Sequence, residues 1–328
     1  MRAARYVRTG PAHEVLEIVE LPTPHPGAGE VRVRLSWSGV NPSDVKSRAG
    51  ARTTTLPFAS IVPHSDGSGV IDEAGAGVPP TRVGERVWIW NAAWGRPLGT
   101  AADYVVLPAD QAVPLPDAIE LAAGACLGIP ALTAYHAVSV DGGVAGGSVL
   151  VAGGAGAVGH YAIQIARHLG AKRILTTVSG TEKATLAKAA GADIVLNYRT
   201  EDVATRVREV TEGQGVDRII EVDLGTNMEL DLKLLKFGGD IVVYGSNASE
   251  IAVPFVPMIV KHVRLRFFIV YNLSRDDRRT AVAGLTSMLA SDSLTHNIAT
   301  RLPLERIADA HALVEQGGSV GNVVLAIS

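Results

Sequence analysis

Polar and apolar positions alternate early in the chain and group into longer apolar runs later. Val31, Val33, Leu35 and Trp37 alternate with Arg32, Arg34 and Ser36, the period of a strand with one buried face. Val70-Ile71, Arg86 to Trp90 and Tyr104 to Leu107 read as further strands between Gly- and Pro-rich turns. To about residue 120 the pattern predicts an all-β, barrel-like domain. Helical spacing begins near Glu120. Val149-Leu150-Val151 reads as a buried strand, Gly153, Gly154, Gly156 and Gly159 as a tight turn, and Val158 to Leu169 as a helix. Ile174 to Val178, Ile194 to Tyr198, Val216 to Val222 and Asp240 to Tyr244 are apolar strands with helical segments between them. One of these helices is Thr181 to Ala190, with Thr181 as N-cap and Gly191 as the stop. Strand alternating with helix predicts an α/β domain with a doubly wound parallel sheet, at about 129–268. The tail carries a helix, Leu304 to Gln316, and a strand, Asn322 to Ile327. Spacing leaves open which domain they join.

Composition narrows the class. The 328 residues are 47% hydrophobic and 19% charged, which suits a chain with a large core rather than a disordered one. A formal net charge of −3 offers no electrostatic case for nucleic acid or an anionic membrane. No apolar run reaches the length of a membrane span, and MRAARYVRTG lacks the apolar stretch of a signal peptide. With Cys126 as the one cysteine, no internal disulfide forms, and a cytoplasmic location is expected.

The glycine turn carries the chemistry. Strand, glycines and helix follow in the order a dinucleotide site needs. The glycines let backbone approach a pyrophosphate, and Ala157 and Val158 open a helix whose free N–H groups and dipole favour an anion. An NAD site carries an acid at the end of its second strand to grip the adenosine 2′-hydroxyl. Here that strand ends Thr176-Thr177-Val178-Ser179-Gly180, with no carboxylate to repel a 2′-phosphate. Glu182 sits in the first helical turn, where the dipole accounts for it. NADPH is the expected cofactor. No tyrosine has a lysine four positions on, as short-chain dehydrogenase chemistry requires.

Gly39-Val40-Asn41-Pro42-Ser43-Asp44, Ser65-Asp66-Gly67-Ser68-Gly69-Val70, Gly84-Glu85-Arg86-Val87, Thr100-Ala101-Ala102-Asp103-Tyr104, Thr133-Ala134-Tyr135, the glycine turn, Leu302-Pro303-Leu304 and Gly321-Asn322-Val323-Val324 follow one another along nearly the whole chain. Together they resemble the medium-chain dehydrogenase/reductase superfamily, in its zinc-independent branch of quinone oxidoreductases, zeta-crystallin and enone reductases. The resemblance implies a GroES-like β-barrel catalytic domain at 1–128, a Rossmann NADPH-binding domain at 129–268, and a segment, 269–328, that returns to the catalytic domain. It also implies a cleft for the nicotinamide and a homodimer in which the strand around Leu265 to Val270 pairs across the axis, or is a plain edge strand.

The same resemblance assigns roles. Ser179, Lys183 and Tyr198 match the 2′-phosphate grip, with Lys183 alternatively a solvated helix residue and Tyr198 a capping aromatic. Thr133 flanks the nicotinamide, Asp223 and Leu224 pass beneath the ribose, Gly245 and Ser246 bend past the cofactor, and Phe268, Ile269 and Val270 offer backbone to the carboxamide. Asn322 stands near where relatives often have a basic residue. Asn41 replaces a metal-binding Cys; its amide either faces a substrate carbonyl or bonds its own turn. Asp44 orders the loop. Lys46 approaches the carbonyl oxygen or the cofactor, or is a surface lysine. Trp88, Trp90 and Trp94 form an aromatic wall, or Trp88 and Trp90 a core pair.

Zinc members carry a Cys and a His-Glu pair where this chain has Asn41, Ser65-Asp66 and Ile129. An amide, a hydroxyl and an alkyl group do not replace thiolate and imidazole around tetrahedral zinc. Cys126 lies three residues off on an apolar stretch, and His64 one residue off, so no metal is expected. Without a Lewis acid a conjugated acceptor is the easier substrate, because charge spreads into an enolate or hydroquinone. The expectation is NADPH-dependent, metal-free reduction of a quinone or an α,β-unsaturated ketone or aldehyde, with solvent as the proton source. An enoyl-thioester reductase and a weakly catalytic NADPH-binding protein are the alternatives.

Overall fold

The computed structural model describes residues 1–51, 53–317 and 319–327. Two units emerge, Met1–Pro130 with Thr286–Ser328, and Ala131–Leu285.

The first unit opens with β1 (Arg2–Arg5), α1 (Ala12–Val15) and β2 (Glu17–Glu20), then β3 (Glu30–Val40), α2 (Pro42–Ala49), β4 (Gly67–Ala74), β5 (Arg86–Ile89), β6 (Tyr104–Pro108), β7 (Ala112–Pro114) and α3 (Leu121–Gly124). The alternation in β3 does what its period predicts: Val31, Val33 and Leu35 are fully buried.

The second unit contains α4 (Leu132–Ser139), β8 (Ser148–Val151), α5 (Ala157–His168), β9 (Arg173–Val178), α6 (Thr181–Ala189), β10 (Ile194–Asn197), α7 (Val203–Val210), β11 (Val216–Glu221), α8 (Leu224–Leu234), β12 (Leu235–Val243), α9 (Phe255–Lys261) and β13 (Arg264–Phe267). Its six strands pair in parallel in the order β10-β9-β8-β11-β12-β13. That is the Rossmann order, with its switch point between β8 and β11.

The chain then runs through α10 (Arg275–Ala290), β14 (Ile298–Pro303), α11 (Ile307–Glu315) and β15 (Asn322–Ala326). β15 lies antiparallel on β3, from Val323↔Val40 to Ala326↔Trp37, so the tail completes the sheet β14-β15-β3-β4-β5-β7 of the first unit, with β6 also on β3. The return comes later than the expected residue 269. α10 crosses the boundary as one unbroken helix, so no turn marks the change of unit. The first boundary falls in the π-helical turn Leu127–Ala131, at Pro130.

Two local expectations are corrected. Thr181 is the first helical residue rather than the N-cap. Gly180, in extended backbone, takes the cap position, and no side chain bonds the helix start. The expected helix from Leu304 is a 3₁₀ turn, Leu304–Arg306, before α11. Among the described residues no helix is long and apolar enough to cross a membrane.

Candidate active site

Most of the expected cofactor residues sit at the carboxyl ends of the parallel strands. After β8, Gly153 takes φ +69, and Gly156 N–H donates to its carbonyl at 2.9 Å. Gly153 and Gly154 N–H donate to Thr177 Oγ1 (3.1 Å) and Thr177 O (3.2 Å), fastening the turn to β9. A Cβ on Gly154 would stand 2.9 Å from Thr176 Cβ and 2.8 Å from Ile163 Cδ1, and one on Gly159 would meet the Gly153 carbonyl. Gly156 alone is exposed; it is the N-cap of the twelve-residue α5. Ala157, Val158 and Gly159 therefore hold the N–H groups that have no intrahelical acceptor. This cradle fits a pyrophosphate.

β9 and β10 bring the next group together. Asn197 pairs with Val178, and Tyr198 N–H donates to Val178 O at 3.1 Å, so Tyr198 and Ser179 leave the same sheet edge. Tyr198 is 53% exposed, which places it on the surface rather than under a cap. Lys183, in the first turn of α6, is half-buried.

After β11 and β12 the loops are cross-braced. Asp223 accepts from Asn247 N–H (2.8 Å) and Thr226 Oγ1 (2.8 Å), and Leu224 N–H donates to Gly245 O at 3.3 Å. Glu221, at the end of β11, accepts from Asp223 N–H (2.5 Å) and Asn227 Nδ2 (3.0 Å). Gly245 lies against Val222 O so closely that no Cβ fits; Ser246 follows it and accepts from Ala248 N–H at 3.0 Å. Beyond β13, Phe268 N–H donates to Val243 O (3.1 Å), Ile269 O accepts from Asn272, and Val270 O is taken by Arg278 Nη2 (2.5 Å). Thr133 is buried on α4. Asn322 belongs to the first unit; it is 5% exposed and its amide donates to Asn297 O at 2.9 Å.

In the first unit, Asn41 is the N-cap of α2, with Pro42 next. Its N–H donates to Asp44 Oδ2 at 2.9 Å, which gives Asp44 a loop-ordering contact. The Asn41 amide, 4% exposed, donates to Asp66 Oδ1 at 2.9 Å. Asp66 is fully buried. Desolvation, and then the charge of Asp44, push its carboxyl well above the usual carboxylate range, which disfavours the ionised form. Lys46 is exposed. Trp88 is fully buried in β5, a core residue; Trp90 lies just past the strand and Trp94 is 40% exposed.

Sequence reasoning missed a buried polar chain beside Asp66. Thr100 Oγ1 donates to Asp66 O (2.6 Å), so it accepts from Ser38 Oγ at 2.8 Å. Ser38 in turn accepts from His64 Nδ1 at 2.8 Å. His64 Nε2 then accepts from His311 Nε2 at 2.9 Å. Burial holds both imidazoles neutral, with His311 pushed down to about 3. His64 does this at φ +78, in the left-handed region. No signal in the sequence joins two histidines 247 positions apart.

A zinc ion does not fit these donors. The Asn41 amide and both His64 nitrogens are committed, and buried Cys126 donates to Ala122 O at 3.6 Å. Among the described residues there is no group of three or more His, Cys, Asp or Glu able to hold a metal.

Two family models match, an alcohol dehydrogenase GroES-like domain over residues 27–117 and a zinc-binding dehydrogenase over 157–287. The chain is 31% identical to human quinone oxidoreductase over 330 residues, covering 99% of this chain and 97% of that protein. It is also 31% identical to the 2-haloacrylate reductase of Burkholderia sp, covering 99% and 98%. Among solved structures, an NAD-dependent alcohol dehydrogenase superposes with TM-score 0.91 at 30% identity, and a mycobacterial protein complexed with NADPH with 0.88 at 32%, each covering both chains fully. The chain belongs to the medium-chain dehydrogenase/reductase superfamily, among the relatives of the quinone oxidoreductases. It is an oxidoreductase of that superfamily, with a GroES-like domain and a Rossmann domain.

Proposed function

We propose that the protein transfers hydride from NADPH to a conjugated carbonyl acceptor, a quinone or an α,β-unsaturated ketone or aldehyde, without a metal. The observation that carries this reading is the Asn41–Asp66 pair, a buried amide that donates to a buried carboxyl where a zinc enzyme needs thiolate and imidazole donors. NADPH, when bound, supplies the hydride. The glycine cradle and the start of α5 hold its pyrophosphate. Ser179, Lys183 and Tyr198 receive the 2′-phosphate, with no carboxylate at the end of β9 to oppose it. Thr133, the 222–224 and 245–246 loops and residues 268–270 shape the nicotinamide end. The second Nδ2–H of Asn41 is the donor to the acceptor's carbonyl oxygen as it gains charge. Lys46 lies on the next turn of α2. Solvent protonates the product.

An absorbance assay crossing NADPH and NADH with quinone, enone, 2-haloacrylate and enoyl-thioester acceptors tests this. Fast NADPH oxidation with a quinone or enone is the expected result. Preference for NADH refutes the 2′-phosphate assignment. Turnover confined to enoyl-thioesters refutes the acceptor class, and tight NADPH binding without turnover makes the protein a binder.

We also propose a homodimer. β13 is the edge of the parallel sheet, and Phe255, Val256, Ile259 and Val260 of α9, with Phe267 of β13, are each more than half exposed. A second copy meeting this edge two-fold extends the sheet and covers the apolar side chains.

A further inference from the structure

Glu221 and Asp231 stand ten residues apart in sequence and meet in the interior of the second unit. Asp231, on the third turn of α8, is 2% exposed, and Glu221, at the end of β11, is fully buried. Asp231 bonds Glu221 side chain to side chain. Apart from that bond within the pair, Glu221 Oε2 and Asp231 Oδ2 meet no hydrogen-bond donor among the described residues. Among the described residues no Lys, Arg or His is bonded to either carboxyl. Arg218 lies on the opposite face of β11, bonded to Asp240, and α7 meets α8 through Val203 and Val207. Just past β12 the titratable neighbour is the Tyr244 phenol, which burial first and then the charge of Glu221 push up. Asp223, on the loop, accepts from Asn247 and Thr226. Two carboxylates in such a place share one proton.

We propose that Glu221 and Asp231 are positioning residues that hold one proton between them and so fix the 222–224 and 245–247 loops in the shape that binds the nicotinamide end of the cofactor. The geometry is direct. Glu221 Oε1 anchors Asp223 N–H and Asn227, Tyr244 N–H donates to Glu221 O at 3.1 Å, and Asp223 ties the second loop through Asn247. With the proton in place, Asp231 donates to Glu221 and the pair carries a single charge. Without it, two like charges repel beneath the loop, and the Asp223 anchor loosens. Burial and the Glu221 charge push the Asp231 carboxyl up to about 9, so this happens in mildly alkaline solution.

The inference rests on the reading that these loops bind the cofactor. The test is a fluorescence titration of NADPH and of NADH against the full-length protein between about pH 7 and about pH 10, for wild type, Asp231→Asn and Glu221→Gln. Either amide keeps a donor and an acceptor in the pair and a single charge, without a proton to lose. In wild type, affinity for both nucleotides is expected to fall up to about ten-fold per pH unit once the shared proton leaves. Both variants are expected to keep neutral-pH affinity and a flat profile, with melting temperatures showing that they fold. kcat at saturating NADPH is expected to change far less than KM. A flat wild-type profile, or the same alkaline fall in both variants, overturns the inference. A fall for NADPH alone assigns the effect to the 2′-phosphate contacts and also overturns it. Failure of either nucleotide to bind at any pH refutes the cofactor reading itself.

Discussion

Two glycines of one turn, Gly156 and Gly159, are expected to fail in opposite ways when changed to alanine. On Gly159, a Cβ stands 2.9 Å from the Gly153 carbonyl carbon and 3.0 Å from Gly154 Cα, with the carbonyl oxygen closer still. Non-bonded carbons rest at about 3.5–4.0 Å, so the turn must open. Over-packing of this kind costs about 1–3 kcal/mol. The same carbonyl accepts the Gly156 N–H bond, and disturbing it adds about 1 kcal/mol. Gly159→Ala therefore loses about 2–4 kcal/mol, a fall of about 5–15 °C in Tm for a domain of this size. On Gly156, the nearest atom to a Cβ is the Gly153 oxygen at 3.2 Å, and φ −74, ψ 169 suits alanine. Gly156→Ala is expected to melt within a few degrees of wild type, since a cap change of this kind costs about 1 kcal/mol or less. Its exposed methyl group, at the mouth of the cradle, is expected to weaken NADPH binding by about ten-fold or more, roughly the 1.4 kcal/mol of one displaced phosphate hydrogen bond. Thermal melting and fluorescence titration of the two proteins side by side provide the check. A Gly159→Ala protein that melts with wild type refutes the steric argument. A Gly156→Ala protein that binds NADPH normally refutes the placement of the pyrophosphate.

Lys183→Ala is expected to raise KM for NADPH by about 1–3 kcal/mol while leaving NADH nearly unchanged, in steady-state kinetics; equal effects make Lys183 a helix-surface residue. His311 binds fewer protons folded than unfolded between about pH 6.5 and about 3, so its contribution is intact above about 6.5 and is lost as pH falls through about 3, by up to about 4–5 kcal/mol. Asp66, pushed up, acts in the opposite sense, so the readout is the difference in denaturant stability between wild type and His311→Gln across that range; parallel curves refute it. Purification with zinc followed by metal analysis is expected to find no stoichiometric zinc, and a chelator to leave turnover unchanged. Val256→Glu is expected to yield monomers by light scattering; an unchanged dimer moves the interface elsewhere.

What was legible in the sequence is what a short window of chain encodes. The strand–glycine–helix order at 149–169 was legible because each part is local, and β3 announced itself by alternation. The end of β9 could be read for its missing acid because only one turn is involved. Three features stayed hidden. Asp66 gave no sign that it would hold the Asn41 amide, because β4 and the α2 turn meet only through the sheet. Glu221 and Asp231 looked like an ordinary strand end and a helix acid, since helix phase decides which way Asp231 faces and neighbouring residues are mixed. The late return of the chain was invisible because α10 continues across it.

The strained backbone at His64 makes positions 64 and 311 genetically inseparable. Glycine at 64 relaxes φ +78 but strands the His311 Nε2–H and the Ser38 hydroxyl in the interior. Alanine at 311 leaves His64 holding an unfavourable backbone with nothing on its far ring nitrogen. Each single step destabilises the fold, and the paired step costs less than the two single steps summed. The two residues are therefore expected to show strong non-additivity in a double-mutant cycle and to be replaced together or not at all in any library selected for stability.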